Sequence, residues 1–140
     1  MIRNIQISSE SELKNFVKTF AKKVGSQDCI TLVGDLGVGK TTLSKYLIQE
    51  FFPDQSVTSP TFPIVNHYQT KEKSIYHYDL YRVKDPQELE EIGFEDSIGK
   101  GLVLIEWPEI AIRYLPKKIT VIKMEHLGGN KRLLKIKDNE

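Results

Sequence analysis

A single cysteine, Cys29, stands in 140 residues, so neither an intrachain disulfide framework nor a multi-cysteine metal site is possible. Long apolar runs are missing too. None approaches the ~20 residues of a membrane-spanning helix, and the opening Met1-Ile-Arg-Asn4 has no apolar stretch of the kind that directs export. These absences lead to the expectation of a cytoplasmic protein with no membrane segment. No excess of one sign of charge exists either: 20 Lys and Arg face 19 Asp and Glu, a formal net charge of +1. Bulk charge therefore makes no case for nucleic-acid binding. His67, His77 and His126 are not spaced as a metal site with each other or with Cys29, and they read as strand-surface residues. Repeats and low-complexity segments are absent. With 39% apolar and 28% charged residues, the chain reads as one soluble domain, 1–140, with one core.

What is present is concentrated in one segment. Gly34-Asp-Leu-Gly-Val-Gly-Lys40-Thr41 fits G-x-x-x-x-G-K-[ST] in full, a pattern that about one chain in two hundred of this length would carry by chance. Its flanks are those a phosphate-binding loop requires. Cys29 to Val33 is apolar and β-rich, and Thr42 to Glu50 carries Leu43, Tyr46 and Leu47 at helical spacing. In such a loop, Asp35, Leu36, Gly37, Val38, Gly39, Lys40, Thr41 and Thr42 form the cradle: backbone N–H groups and the helix start supply positive potential. Lys40 reaches the β- and γ-phosphate oxygens, and the Thr41 hydroxyl can hold Mg²⁺. ATP with Mg²⁺ is the expected cofactor.

The rest of the chain alternates strands and helices. Strands are expected over Arg3 to Ser8, Ile64 to Gln69, Ser74 to Val83, Gly101 to Glu106, Lys118 to Glu125 and Arg132 to Lys137. Helices are expected over Ser9 to Val24, from Asp85-Pro86 to Gly93, and near Pro108 to Tyr114. Pro53 to Pro63 reads as a long polar loop, and Gly128-Gly-Asn130 as a tight turn. Together these point to an α/β fold: a P-loop NTPase-like three-layer arrangement with a mixed, mostly parallel central sheet and helices on both faces. Two apolar strands end in carboxylates, Ile75-Tyr-His-Tyr-Asp79 and Leu102-Val-Leu-Ile-Glu106. Residues past the carboxyl ends of strands line the ligand crevice of an open α/β sheet, so Asp79 and Glu106 are the candidate catalytic and metal-associated acids. Either could orient or deprotonate the attacking water. Tyr76, Tyr78 and Tyr81 read as strand packing, Arg82 as a structural ion pair ahead of an arginine finger, and the lysine-rich C-terminal region as a solvated face.

The combination GDLGVGKTTL, VTSPTF, IYHYDLYRVKDPQELEEIGFED and LVLIEWPE, in order from Gly34 to Glu109, resembles the bacterial TsaE (YjeE) family. That resemblance implies an ATPase needed for the threonylcarbamoyl modification of tRNA adenosine. It also implies Lys40 and Thr41 as phosphate and Mg²⁺ contacts, Thr61 in a switch-like loop, Asp79 as the catalytically important carboxylate, and Glu106 as the second Mg²⁺-associated acid. In the family the base is contacted from the N-terminal segment and the C-terminal strands, where Glu10 and Arg132 are the nearest candidates. The implied partners are TsaD and TsaB, with tRNA reached through their complex. Two other enzyme readings fit the residues less well. A small-molecule kinase would need an Arg-rich lid, and only four arginines exist; a GTPase would need Asn-Lys-x-Asp, where Asn130-Lys131-Arg132-Leu133 fails at its last position. A nucleotide-binding interaction module with negligible turnover stays open.

Overall fold

The structure, a computed structural model, describes residues 2–58, 60 and 64–138. Its strands are β1 (Ile2–Ile7), β2 (Cys29–Val33), β3 (Val65–Gln69), β4 (Ser74–Asp79), β5 (Leu102–Glu106), β6 (Thr120–Gly128) and β7 (Lys131–Asp138). Its helices are α1 (Glu10–Ala21), α2 (Lys40–Phe51), α3 (Gln87–Glu91) and α4 (Phe94–Ser97), with a 3-10 helix over Pro108–Tyr114. The seven strands form one sheet in the order β1-β7-β6-β2-β5-β4-β3. Pairing is parallel from β6 through β2 and β5 to β4, and antiparallel for β1 with β7, β6 with β7 and β3 with β4. The mixed sheet expected from the sequence is thus parallel in its centre, and its margins are hairpin-built.

Helices cover both faces. On one, α1 presents Leu13, Val17 and Phe20 and α2 presents Leu43, Leu47 and Ile48 to Ile30, Leu32, Leu104, Ile122, Leu134 and Ile136 of the sheet. The α1 start is set by Ser9, whose hydroxyl accepts the Glu12 amide at 3.1 Å, while the Glu12 carboxylate accepts the Ser8 amide at 2.8 Å. On the other face, Leu89 and Phe94 from α3 and α4, with Ala111 from the 3-10 helix, pack on Tyr78, Val103 and Ile105. Tyr78 sits edge-on to Phe94 at 4.9 Å, and its hydroxyl donates to Ser97 at 3.0 Å. Cys29 is buried in β2, where burial and then the charge of Asp28 push its thiol up to about 12.

Three expectations need correction. His77 is fully buried in the middle of β4, because the alternation that points Tyr76 and Tyr78 to one face points His77 under α2; only His67 and His126 are exposed. The strand begun at Ser74 stops at Asp79, because the Tyr81 amide donates to Asp79 Oδ1 at 3.1 Å and turns the chain. Tyr81 is therefore 54% exposed beyond the strand. Arg82 is exposed and makes no ion pair among the described residues. Ser59 and Thr61 of the switch-like loop lie outside the described residues.

Candidate functional site

The loop between β2 and α2 wraps around a groove, and the glycines explain how. A Cβ on Gly34 would lie 2.6 Å from the carbonyl oxygen of Met124 in β6, so only glycine fits there. Gly39 caps α2 at φ 115°, a left-handed conformation that lets the helix start immediately after the loop. The groove, about 240 Å³, is lined by Leu36, Gly37, Gly39, Lys40, Thr41 and Thr42 on the loop side. Asp79, Tyr81, Glu106 and Trp107 line it on the strand-end side.

Register brings the two strand-end acids together: Asp79 of β4 is the direct partner of Glu106 of β5. Glu106 points toward α2, where its Oε1 accepts the Thr41 hydroxyl at 2.7 Å. Its Oε2 lies 2.6 Å from His77 Nε2 and 3.5 Å from the Ser44 hydroxyl. Asp79 is half-buried; desolvation raises its carboxyl above the usual aspartate range, opposed by the Tyr81 amide and reinforced by the charge of Glu106. Lys40 is buried, and its ammonium donates to the carbonyl oxygens of Gly34 and, at 3.1 Å, Asp35. It also lies 3.8 Å from the centre of the Trp107 ring, a cation–π contact. Burial lowers its pKa from the ordinary lysine value, against the opposing pull of Glu106, Glu109, Asp79 and Asp35. Trp107 itself adopts φ 58° and ψ 62°, a left-handed conformation that costs a bulky residue roughly 1–3 kcal/mol. Its ring packs against Tyr81 at 4.8 Å.

On the other side of the loop, a second cavity of about 450 Å³ shares Gly37, Gly39 and Thr42 with the first. Its far wall is Ile7, Ser9, Glu10, Leu13, Met124, Asn130 and Arg132. The Arg132 Nε donates to the Val38 carbonyl at 3.0 Å, tying the β6–β7 hairpin to the loop between β2 and α2. The two distant candidates from the ends of the sequence, Glu10 and Arg132, therefore meet beside the loop. A slightly larger cavity, about 480 Å³, is lined by Arg3, Lys23, Cys29, Lys118 and Thr120. It opens at the amino ends of β2 and β6, opposite the crevice in which open α/β sheets hold ligands.

Sequence reasoning missed His77, Ser44, Tyr81 and Asn130 as neighbours of these grooves. Ser44 was findable, since it stands one helical turn after Lys40 and so on the same face. For His77 the signal was the alternation that places it on the same sheet face as Glu106.

The arrangement has relatives. The profile of the family described as "Threonylcarbamoyl adenosine biosynthesis protein TsaE" matches residues 7–134. A Rickettsia typhi protein named tRNA threonylcarbamoyladenosine biosynthesis protein TsaE is 42% identical over 132 residues, covering 94% of this chain and 92% of its own length. A Bacillus subtilis protein of the same name is 34% identical over 122 residues, covering 86% and 76%. The crystal structure of Bacillus subtilis YdiB superposes with a TM-score of 0.78 at 26% identity, covering all of this chain and 87% of that one. A family match across the sheet and both grooves, with sequence identity of this size over nearly the whole length, establishes that the chain belongs to the TsaE family.

Proposed function

We propose that this chain is a Mg²⁺-dependent ATPase serving the machinery that forms threonylcarbamoyladenosine in tRNA. The observation that carries the reading is the convergence of Lys40, Thr41, Asp79 and Glu106 on one groove at the start of α2. In this reading the phosphates lie along the amides of residues 35–42, which present their N–H groups at the positive end of α2. Lys40 swings from the Gly34 and Asp35 carbonyls onto the β- and γ-oxygens. The base enters the second cavity, between Glu10 and Arg132.

The fit to Mg²⁺ rests on donor chemistry. The Thr41 hydroxyl and Glu106 Oε1 are both hard oxygen donors, and they meet at 2.7 Å. Among the described residues no group of three or more His, Cys, Asp or Glu side chains forms a metal cage. Thr41 and Glu106 would therefore hold the ion alongside phosphate and water, the usual manner for Mg²⁺ at nucleotides. When bound, the ion supplies neutralisation of charge on the phosphates. The raised Asp79 carboxyl is the better-placed group to orient or accept a proton from water, since Glu106 is already engaged at both oxygens.

The apolar side chains of Leu36, 70% exposed, and Tyr81, 54% exposed, flank the groove mouth. They support a slow enzyme that partners complete, TsaD and TsaB by family resemblance, with tRNA reached only through them in the cytoplasm. The same feature favours the second reading, a nucleotide-dependent interaction module with negligible turnover. ATP hydrolysis and co-sedimentation of the purified chain, with and without TsaD–TsaB, test both. Stimulated hydrolysis with a nucleotide-dependent complex is expected; full activity alone, with no complex in any nucleotide state, would overturn the assembly role.

A further inference from the structure

His77 is a buried polar group near the groove that the phosphate-loop chemistry does not use. It has no exposure, it lies opposite Leu104 of β5 and Asn66 of β3, and its Nδ1 has no hydrogen-bond partner among the described residues. A leucine in this place would pack on α2 without stranding a ring nitrogen, so packing does not account for an imidazole. Its other nitrogen does.

Nε2 lies 2.6 Å from Oε2 of Glu106. A carboxylate accepts, so the 2.6 Å contact puts a hydrogen on Nε2, whatever Nδ1 carries. The two oxygens of Glu106 are thereby fixed separately: Oε2 by His77 within the sheet, Oε1 by Thr41 at 2.7 Å on the groove side. Ser44 adds little to the hold, since its hydroxyl donates to the Lys40 carbonyl at 3.0 Å and stands 3.5 Å from Oε2. Without His77, Oε2 would keep only the long Ser44 contact, and the carboxylate, whose terminal bond is a soft, two-fold torsion, would be held at Oε1 alone.

We propose that His77 is a positioning residue: it clamps Oε2 of Glu106 and so presents Oε1 alone to Thr41 and to whatever cation the pair holds. The inference rests on the Mg·ATP reading of this groove. Its effect belongs to the class in which a partner behind a ligand orients it, where loss costs about tenfold to a hundredfold in metal affinity or activity.

The test has two arms. In ¹⁵N-labelled protein purified without nucleotide or divalent cation, the His77 ring should show a hydrogen on Nε2, and this signature should change in Glu106→Gln. In turnover, His77→Leu should fold, as judged by its melting curve, and lose about tenfold or more in kcat with KM for ATP within about threefold. His77→Gln, whose amide nitrogen reaches the place of Nε2, should recover most of that loss. A ring with no hydrogen on Nε2, a folded His77→Leu with wild-type kcat, or a Gln variant no better than Leu would overturn the proposal. If the wild-type protein fails to turn over ATP at all, the reading of the groove falls. The ring-nitrogen signature and its response to Glu106→Gln would then still decide whether His77 clamps Glu106.

Discussion

The two halves of the sheet do different work. In the parallel half β5 is buried at every residue from Leu102 to Glu106, because helices press on both faces, and its sequence is correspondingly apolar without alternation. In the antiparallel half β7 alternates: Leu134 and Ile136 face α1 and α2 while Lys135 and Lys137 face outward. The doubly covered half ends in Asp79 and Glu106, and the singly covered half supplies Arg132 and Asn130 through its hairpin. In the proposed reading, the acids that act on the phosphates come from the doubly covered strands and the wall for the base from the singly covered ones, so reaction and recognition would be drawn from differently supported strands.

The sharpest break of this division is Lys40→Ala, which removes the side-chain cation assigned to the phosphates. A loss of about three orders of magnitude in Mg·ATP affinity or turnover is expected, measured by calorimetry and phosphate release. Packing should show the contrast next. Leu104→Ala in β5 should cost about 2–5 kcal/mol in urea unfolding, whereas Leu133→Ala on the open side of β7 should cost less than about 1 kcal/mol. Equal costs would mean that the antiparallel half is covered by something in solution.

Chemistry separates the halves a third time. Asp79→Asn should lower turnover about a hundredfold while nucleotide binding survives, whereas Arg132→Ala should weaken binding about tenfold with kcat little changed. If Glu106→Gln abolishes turnover and Asp79→Asn does not, the roles of the two acids are reversed. A subtler effect follows from the raised Asp79 carboxyl. A folded-state value above the unfolded one favours the folded protein at low pH, and that contribution is lost as pH rises through the folded value. Above the folded value the ionised Asp79 is therefore a burden, and Asp79→Asn should melt at the same temperature or higher there, the gap closing as pH falls and the wild-type carboxyl takes up its proton. The smallest signal is optical: Trp107 packs on Lys40 and Tyr81, so its emission should shift on titration with Mg·ADP. No shift at confirmed saturation would place the nucleotide away from this strand end.

Legibility followed the distance over which each feature is specified. The loop from Gly34 to Thr41 is eight contiguous residues, with Gly37 and Gly39 at positive φ, so its place between β2 and α2 was legible from a local pattern. Asp79 and Glu106 could be read as strand ends, but their meeting depends on the parallel register of β4 and β5, which no local pattern encodes. His77 read as a strand-surface residue, because the sequence does not say that α2 covers that face of β4. Its role depends on Ser44, Thr41 and Glu106 arriving on the same side of the sheet. The contact of Arg132 with the Val38 carbonyl spans 94 residues, and only the family resemblance suggested that the end of the chain returns to the loop. The expected ion pair at Arg82 failed because the chain turns at Asp79 and leaves that side chain on the surface.

The Lys40 ammonium is fully engaged: two loop carbonyls accept from it and an indole face covers it. Any anion that claims this cation must therefore displace contacts already made, so binding is an exchange and not an addition. The heat released should be small for the number of hydrogen bonds gained, and the observed affinity should fall below what the finished set of contacts suggests. Such a site is held in reserve by its own backbone, and in the proposed reading the Trp107 ring, which loses the cation over its face when Lys40 moves, would carry occupancy of the groove to its surface.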